Sequence, residues 1–392
     1  MTGANFSGFK TLLPELVDLA FPIAEISMNG TCIITKPKQH AGVVTKHNTT
    51  SQLLYELQGE QYLNPDVVAN LHGVCIEEIA PNRVQVHGVT GSPPPATTKA
   101  MIAAKGGYQA EATFYMNGLD VSEKVEMMRN QLLHIFRDHN FSKLSIELYG
   151  SPASNPSSQQ AGTVFLRVFA QAKKKEDISA DKFKIPIYAL RMQSYPGYHM
   201  NLDFRTMDPR PFMEIFPVVV PMASLNQETH ILGAAIRRKI TIDPPTITLE
   251  YPDIRNSYET ANPIDLADFG PTQPAPLGSI VHARSGDKAD NSNIGFFVRN
   301  DDEYPWLQSF LTIFQIKILF GEDWTKGENH VERRVERCEF PNILAVHFRV
   351  LDFLDGGIAS SSRIDGLGKG VGEYLRSKVV PIPVRFLDKG CI

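Results

Sequence analysis

The sequence predicts an α+β protein of two domains, each built on a sheet with the strand and helix order β-α-β-β-α-β, with extra N-terminal hairpins. Three observations predict it. Short alternating apolar pieces, bounded by Gly, Pro and Asn, mark strands through the first hundred residues. Apolar residues recurring at helical spacing mark a helix at 120–138, and Pro at the first turn with Gly321 after the end marks another at 305–320. A proline-rich stretch, 234–277, separates two segments in which strands and helices come in the same order.

In chain order, FPIAEIS and GTCIITKP read as a hairpin around Met28, Asn29 and Gly30, because Asn-Gly supplies the positive φ of such turns. NTTSQLLYELQG reads as a short helix capped by Asn48, Thr49 or Thr50. LHGVCIEEI and NRVQVHGV form a second hairpin turning at Ala80, Pro81 and Asn82, and the three prolines of GSPPPATT end that region. KAMIAA and YQAEATFYM are predicted as two strands. Helix 120–138 follows, burying Val121, Val125, Met128, Leu132 and Ile135, with Asp120 and Glu123 placed as a capping box. Strands KLSIELYG and GTVFLRVFAQA, a helix over 178–192 interrupted by Pro186, and strand MEIFPVVV complete β-α-β-β-α-β, the split βαβ or ferredoxin-like order. The first domain is thus 1–233, the linker 234–277 and the second domain 278–392. The second contains SIVHAR, IGFFVR, helix 305–320 with Pro at its first turn, strands HVERRVERCEF and NILAVHFRVLDF, helix 367–378 and strand VVPIPVRF. Helix 305–320 is apolar almost all round and should pack on more than its own sheet.

Composition narrows the function. Of 392 residues, 42% are apolar and 21% charged, as in ordinary globular proteins, and the net charge of −4 argues against a dedicated nucleic-acid binder. No apolar run reaches the roughly 18 residues of a membrane span, and the first residues lack the pattern of a secretory signal. Cys32, Cys75, Cys338 and Cys391 are scattered, which predicts a reducing, cytoplasmic setting without disulfides or a cysteine-based zinc site. His282 and His347 sit in strand patterns, and no paired-His spacing suggests a metal.

Three stretches carry chemistry-bearing residues. HARSGDKADNSNIGFFVRN places Ser285, Gly286, Asp287, Lys288, Asp290, Asn291, Ser292 and Asn293 between two strand-like pieces, far more polar residues than a hairpin turn needs. Its spacing fails the EF-hand rule. The functional reading is a substrate-facing loop in which Lys288 or Arg284 pairs with an anion, Asn291 adds an amide, and Asp287 or Asp290 moves protons. The bland reading is an Asx-rich turn satisfying its own backbone. DGGIASSSRIDGLGKGVGEYL combines serines, among them Ser362, with Arg363 and alternating glycines before a helix. It reads as an anion cradle that matches neither nucleotide fingerprint, or as a glycine loop capped by Asp365. ITKPKQHAGVVTKHNTT carries Lys36, Lys38, His40, Lys46 and His47, either a receptor for a carboxylate or phosphate or a solvated basic loop.

RSGDKADNSNIGF followed by GGIASSSRIDGLGKG is similar to the C-terminal ferredoxin-fold domain of the AtuA family, named for acyclic terpene utilisation. TGANFSGFK, LAFPIAEI, GTCIITKP, VVT, QLLYEL and YLNPDVV resemble the second half of that family's main domain. The resemblance implies breakdown of branched acyl or terpenoid acids, usually handled as CoA thioesters. Relatives carry a large α/β portion upstream of the TGANFSGFK-like stretch, so the chain resembles a shortened member. Where they tend to have a glycine-rich KPxxxGG turn, this sequence has Lys36, Pro37, Lys38, Gln39, His40, Ala41 and Gly42.

Together these readings predict an enzyme on a small carboxylate or acyl substrate, with lyase, hydratase or isomerase chemistry by general acid–base catalysis and no cofactor. Lys36, Arg284, Lys288, Asn291, Ser362 and Arg363 bind substrate in this reading, and Asp287, Asp290 or His40 moves protons. The rival is a non-catalytic module that binds an acyl ligand or scaffolds a partner enzyme. A homodimer is expected, because the apolar helix 305–320 and a shortened chain leave surface to cover. Lys288 and Arg363 are expected to face one cavity.

Overall fold

The computed structural model describes residues 7–11, 13–233, 237–325 and 332–392. Residues 2–6 of the TGANFSGFK motif, the start of the expected linker at 234–236, and His330 and Val331 of an expected strand lie outside them. The fold is α+β with antiparallel sheets, in two compact units that are each discontinuous in sequence. One comprises Met1–Ala100, Pro217–Gly357 and Asp365–Ile392, and the other Met101–Phe216 and Ile358–Ile364.

The first unit opens with β1 (Ile23–Ile26) and β2 (Cys32–Thr35), joined at Gly30 with φ +84°. Helix α1 (Lys46–Leu54) begins earlier than expected. Its cap is Thr45, whose hydroxyl accepts from the Asn48 N–H while the Asn48 side chain accepts from the Thr45 N–H. This reciprocal pair satisfies two donors that a start at Asn48 would leave orphaned. Strands β3 (Gln61–Leu63), β4 (Val68–Asn70), β5 (Cys75–Ala80), β6 (Arg83–His87) and β7 (Thr90–Ser92) follow, in the sheets β1-β2-β6-β5 and β3-β4-β7.

The second unit is built on β8 (Thr97–Met116), a single strand where two were expected. Between the two expected strands, Gly106 and Gly107 carry the ladder through at close approaches. A Cβ at Gly107 would lie 2.3 Å from the Ala172 carbonyl, and one at Gly106 2.3 Å from the Phe212 ring. Helix α2 (Val121–Phe136) buries Val121, Val125, Met128, Leu132 and Phe136, while Ile135 is only partly buried. The capping box is not made, because Asp120 sits at φ 55° and its side chain makes no cap bond. β9 (Lys143–Tyr149), β10 (Val164–Ala172), α3 (Lys184–Ala189), β11 (His199–Met200) and β12 (Arg210–Pro221) complete a sheet ordered β11-β8-β10-β9, with β12 also beside β8. The helix expected over 178–192 shrinks to α3 between 3₁₀ turns, with Pro186 in its first turn, where a missing N–H does no harm.

The chain then returns to the first unit with β13 (Gln227–Leu232), β14 (Arg237–Ile242) and β15 (Thr272–Pro276). The expected linker thus contains β14 and β15, while its stretch 243–265 holds neither helix nor strand. It also docks on an edge strand, since Tyr258 N–H donates to the Arg337 carbonyl at 3.1 Å. β16 (Val281–Lys288), β17 (Asn291–Val298), α4 (Tyr304–Phe310), α5 (Ile313–Phe320), α6 (Glu322–Thr325), β18 (Val335–Phe340), β19 (Ala345–Val350), α7 (Gly357–Ser360), α8 (Val371–Arg376), β20 (Val379–Pro383) and α9 (Val384–Leu387) follow. The main sheet is ordered β16-β17-β19-β18, and β20 pairs with β15 instead of joining it. Helix 305–320 is broken at Leu311 and Thr312. The fully buried Arg337 guanidinium takes the Leu311 carbonyl at 2.8 Å and that of Gln308 at 3.1 Å, while the Thr312 hydroxyl caps α5 through the Gln315 N–H.

This sheet is covered on both faces. Ala283, Ile294, Phe296, Val346 and Phe348 face the α4, α5 and α8 side chains Leu307, Ile316 and Leu375. Phe297, Ala345, Cys338 and Phe340 face Val44 and Leu54 at the two ends of α1, with Ile76 and Val84 of the β5–β6 hairpin behind them. The polar stretch between VHAR and IGFFVR is mostly ladder, with Ser285 opposite Ile294, Gly286 opposite Asn293, Asp287 opposite Ser292 and Lys288 opposite Asn291. Only Ala289, at φ 56°, and Asp290 remain as a two-residue turn. Strand alternation then puts Arg284, Gly286, Lys288 and Asn293 on the face toward α1, and Ser285, Asp287 and Ser292 on the other.

Candidate functional site

The C-terminal end of α1 lies directly on β16 and β17 because two strand positions lack a side chain. A Cβ at Gly286 would stand 2.6 Å from the Tyr55 ring and 2.9 Å from the Glu56 side chain, and one at Gly295 2.5 Å from Leu54. Glu56 turns out of the helix at φ 62°, an uncommon conformation for a residue other than glycine. Its carboxylate receives two ammonium groups, Lys288 Nζ at 2.9 Å and Lys369 Nζ at 2.8 Å. Lys369 Nζ is also 3.6 Å from Asp287 and 4.1 Å from the centre of the Tyr55 ring, over which the Arg284 guanidinium lies at 4.2 Å.

The loop that delivers Lys369 is held at both ends. The Ser285 hydroxyl donates to the Gly368 carbonyl at 2.6 Å and accepts from the Gly372 N–H at 2.8 Å. Asp365 accepts from the backbone N–H groups of Lys369 and Gly370, each at 2.9 Å. Gly368 takes φ +61° with Ser292 Oγ 3.1 Å from where a Cβ would stand, so the alternating glycines give a close-fitting turn. Asp365 caps this loop, and the product is a positioned ammonium group.

Burial sets the electrostatics. It pushes the Asp287 carboxyl above the usual carboxylate range, and the Glu56 and Asp365 charges push the same way against Lys288 and a backbone hydrogen bond. Burial lowers the Lys369 ammonium, and it brings the Arg284 guanidinium down to about 10, partly offset by Glu56. Burial thus acts on both groups in the sense that disfavours their charged forms. The cluster stays reachable, with side-chain exposures of 20% for Asp287, 22% for Lys288, 27% for Glu56 and 39% for Lys369.

The remaining expected residues are placed elsewhere or otherwise engaged. Asp290 accepts from the Gly356 N–H at 2.7 Å and Asn291 from the Asp352 N–H at 3.1 Å, bracing the hairpin turn against the 352–357 loop. Lys36 donates to the His40 carbonyl, and His40 Nδ1 is 3.5 Å from Asp18, so these two stand together between β2 and α1. Ser362 and Arg363 belong to the second unit, where the Ser362 carbonyl accepts from Arg167 at 2.5 Å and the Arg363 N–H donates to Ser361 Oγ at 3.0 Å. Tyr55, Glu56 and Lys369 escaped the sequence reading. The signal for Lys369 was present, as the single cation among the alternating glycines of GLGKGVG.

Among the described residues, no group of three or more His, Cys, Asp or Glu side chains has a metal-holding arrangement, and no helix is long and apolar enough to cross a membrane. An open cleft of the second unit, lined by Tyr115, Gln160, Phe165 and His199 among others, has neither carboxylate nor amine in its wall. No curated protein and no solved structure gives a significant match. Two family models do match, the acyclic terpene utilisation family protein AtuA over residues 1–231 and the AtuA ferredoxin-like domain over residues 275–381. The first covers more than half of the chain and the second coincides with the segment that carries Arg284, Asp287, Lys288 and Lys369, so the chain belongs to the AtuA family.

Proposed function

We propose that the chain is an enzyme acting on a small carboxylate or acyl substrate, possibilities narrowed by the family's name to acyl or terpenoid acids, through lyase, hydratase or isomerase chemistry. Asp287 moves the proton. Lys369 exchanges protons with it, and Lys288 with Arg284 holds the carboxylate or polarises the acyl carbonyl. One observation carries the reading: a carboxyl raised by burial stands 3.6 Å from an ammonium lowered by burial, at a partly exposed edge strand. Glu56 anchors both lysines, and Tyr55 gives the two cations an aromatic face to stack on.

The finer architecture belongs to the same proposal. In the second unit β8, β9 and β10 fall in the order of the first three strands of a ferredoxin-like sheet, with β11 and β12 in the fourth place. In the first unit β17, β18 and β19 do the same, and β16 occupies the fourth place. A homodimer is supported by Phe314 and Ile318, which stand one turn apart on α5 and are 72% and 53% exposed. A cytoplasmic setting is supported by the four free cysteines.

The test is turnover of a panel of enoyl and hydroxyacyl thioesters by the full chain, followed by mass spectrometry. Interconversion by the wild type that is lost in Asp287→Asn and Lys369→Met supports the reading. Turnover that survives Asp287→Asn undiminished refutes it.

A further inference from the structure

The edge of the main sheet at β18 carries more positive charge than its surroundings balance. Glu336 of β18, with only 5% of its side chain exposed, receives two guanidinium groups. One is Arg349 of β19, whose Nε donates to it at 2.7 Å, and the other is Arg334, just before β18. A third guanidinium, Arg255, comes from the stretch 252–257. That stretch is pinned along the same edge, because the Ser257 hydroxyl accepts from the Arg337 N–H at 3.1 Å and Tyr258 N–H donates to the Arg337 carbonyl. All of these residues belong to the first unit.

Arg255 is half-buried, and its hydrogen bond goes to a neutral amide oxygen, Gln58 Oε1, at 3.2 Å. Among the described residues no carboxylate is paired with it. Burial pushes this guanidinium below its ordinary value, the Arg349 charge adds to that, and Glu336 only offsets it. Arg337 supplies the contrast. It is more deeply buried, yet it pairs with Glu339 at 2.7 Å and Glu259 at 3.3 Å and also donates to backbone carbonyls. Around Glu336, three guanidinium groups meet one carboxylate, which leaves two positive charges without a counter-charge. Taking a charge out of water without a partner is costly, so the arrangement calls for an anion from outside the chain.

The uncompensated charge faces open space. Pro252, Ile254, Arg255, Asn256, Ser257 and Arg334 line an open groove of about 680 Å³. That volume lies within the roughly 300–1,000 Å³ of small-molecule sites. Asp253 belongs to the same stretch but not to the groove wall, so the wall presents two guanidinium groups and no carboxylate.

The charge count selects the ligand. A carboxylate or a phosphodiester carries one negative charge and would leave one guanidinium unmatched. A phosphate monoester carries about −1.5 to −2 at pH 7 and offers three strong acceptor oxygens. It matches both charges, and each planar guanidinium can engage its oxygens in a fork. Pro252 and Ile254 add apolar surface beside the two cations.

We propose that the groove beside β18 is a binding site for a phosphate dianion, held by Arg255 and Arg334. The site is separate from the Glu56 cluster and does not depend on the acid–base reading. Gln58, which holds Arg255, is two residues beyond Glu56, so one short segment braces both places.

The experiment is calorimetric titration of the full chain, in chloride buffer at neutral pH, with methyl phosphate, methyl sulfate and inorganic phosphate. Methyl sulfate has the same tetrahedral shape as methyl phosphate but a single negative charge. The wild type binds methyl phosphate at least about tenfold more tightly than methyl sulfate, as a further charge-assisted pair requires. Arg255→Met and Arg334→Met each lower methyl phosphate affinity at least about tenfold. Lys173→Met, which removes a cation of the second unit, leaves that affinity unchanged. If Arg255→Met is not recovered folded, Arg334→Met, at the more exposed position, carries the same expectation. No binding of methyl phosphate, equal binding of methyl phosphate and methyl sulfate, or an affinity untouched by the arginine substitutions overturns the proposal. The third probe names the source of the dianion. Tighter binding of methyl phosphate than of inorganic phosphate assigns an organic ester, and the reverse or equality assigns free phosphate; both uphold the site.

Discussion

Gly295→Ala tests whether α1 is seated on the sheet as described. The added Cβ would stand 2.5 Å from Leu54 Cβ, whereas carbon atoms pack at about 3.5–4.0 Å. Leu54 Cβ is fixed to the helix backbone, so no rotamer change relieves the clash and α1 itself must retreat by about 1 Å. Overpacking of this kind costs about 1–3 kcal/mol. The sign is informative, because Gly295 is not in the left-handed region. Without a clash, alanine there would stabilise the protein by about 0.4–1 kcal/mol through the unfolded chain. Urea unfolding followed by tryptophan fluorescence reads the difference directly, with Trp306 buried in the core on the opposite face of the same sheet. A midpoint unchanged or raised, with unchanged slope, would refute the seating of α1 and with it the Glu56 cluster.

Glu56→Gln removes the carboxylate that both lysines share, and should cost about 1–2 kcal/mol after discounting the part-exposed Lys369. It should also lower the Asp287 pKa, read by carbon NMR of labelled aspartate, because Glu56 is one of the charges raising it. Arg337→Ala should destabilise by about 3–5 kcal/mol in urea unfolding, since it strands the Leu311, Gln308 and Tyr258 carbonyls together with the buried Glu339 carboxylate. His282 and His347 are held down to about 2 and about 3, against 6.5 when unfolded. A depressed histidine contributes stability above its unfolded value, lost as pH falls toward the folded one. Unfolding free energy should therefore drop between pH 6.5 and 3 by about 1.4 kcal/mol per pH unit for each group, and the double variant His282→Phe, His347→Phe should flatten that slope. Asp287 behaves in the opposite sense. Its raised carboxyl weakens the fold as pH rises through the folded value, so Asp287→Asn should be more stable than the wild type at pH 7 and equal to it well below pH 3.8.

Local signals were legible in the sequence. Asn29-Gly30 and Pro81-Asn82 mark their hairpins, and helical spacing located α2 to within two residues at each end. Arg284, Asp287 and Lys288 were singled out from the density of charge in one short stretch, and the structure brings them together. What escaped were effects acting across the chain. The break between α4 and α5 is made by a guanidinium from β18, and the start of α1 by a side chain three residues before the first cap considered. The polar run after VHAR read as a loop because strand patterns are recognised by apolar alternation. Here the α1-facing positions are Arg, Gly, Lys and Asn, and burial comes from a helix lying far away in the sequence. Glu56 meets its lysines across 232 and 313 residues, a distance over which a single sequence carries no pairing signal.

That distance bears on how the chain comes to be folded. The α1-facing side of the β16-β17-β19-β18 sheet is completed only by a segment made more than two hundred residues earlier, so the last part of the chain to be synthesised cannot close its own second face. Until α1 docks, Phe297, Phe340 and Ala345 have no cover on that side. The last third of the molecule is a sequence segment but not a folding segment. Expressed alone, residues 275–392 should expose an apolar sheet face and aggregate, and supplying residues 1–100 on a separate chain should rescue them. Assembly of the whole protein waits on a long loop closure, which sets a slow final step and puts its first helix in command of its last sheet.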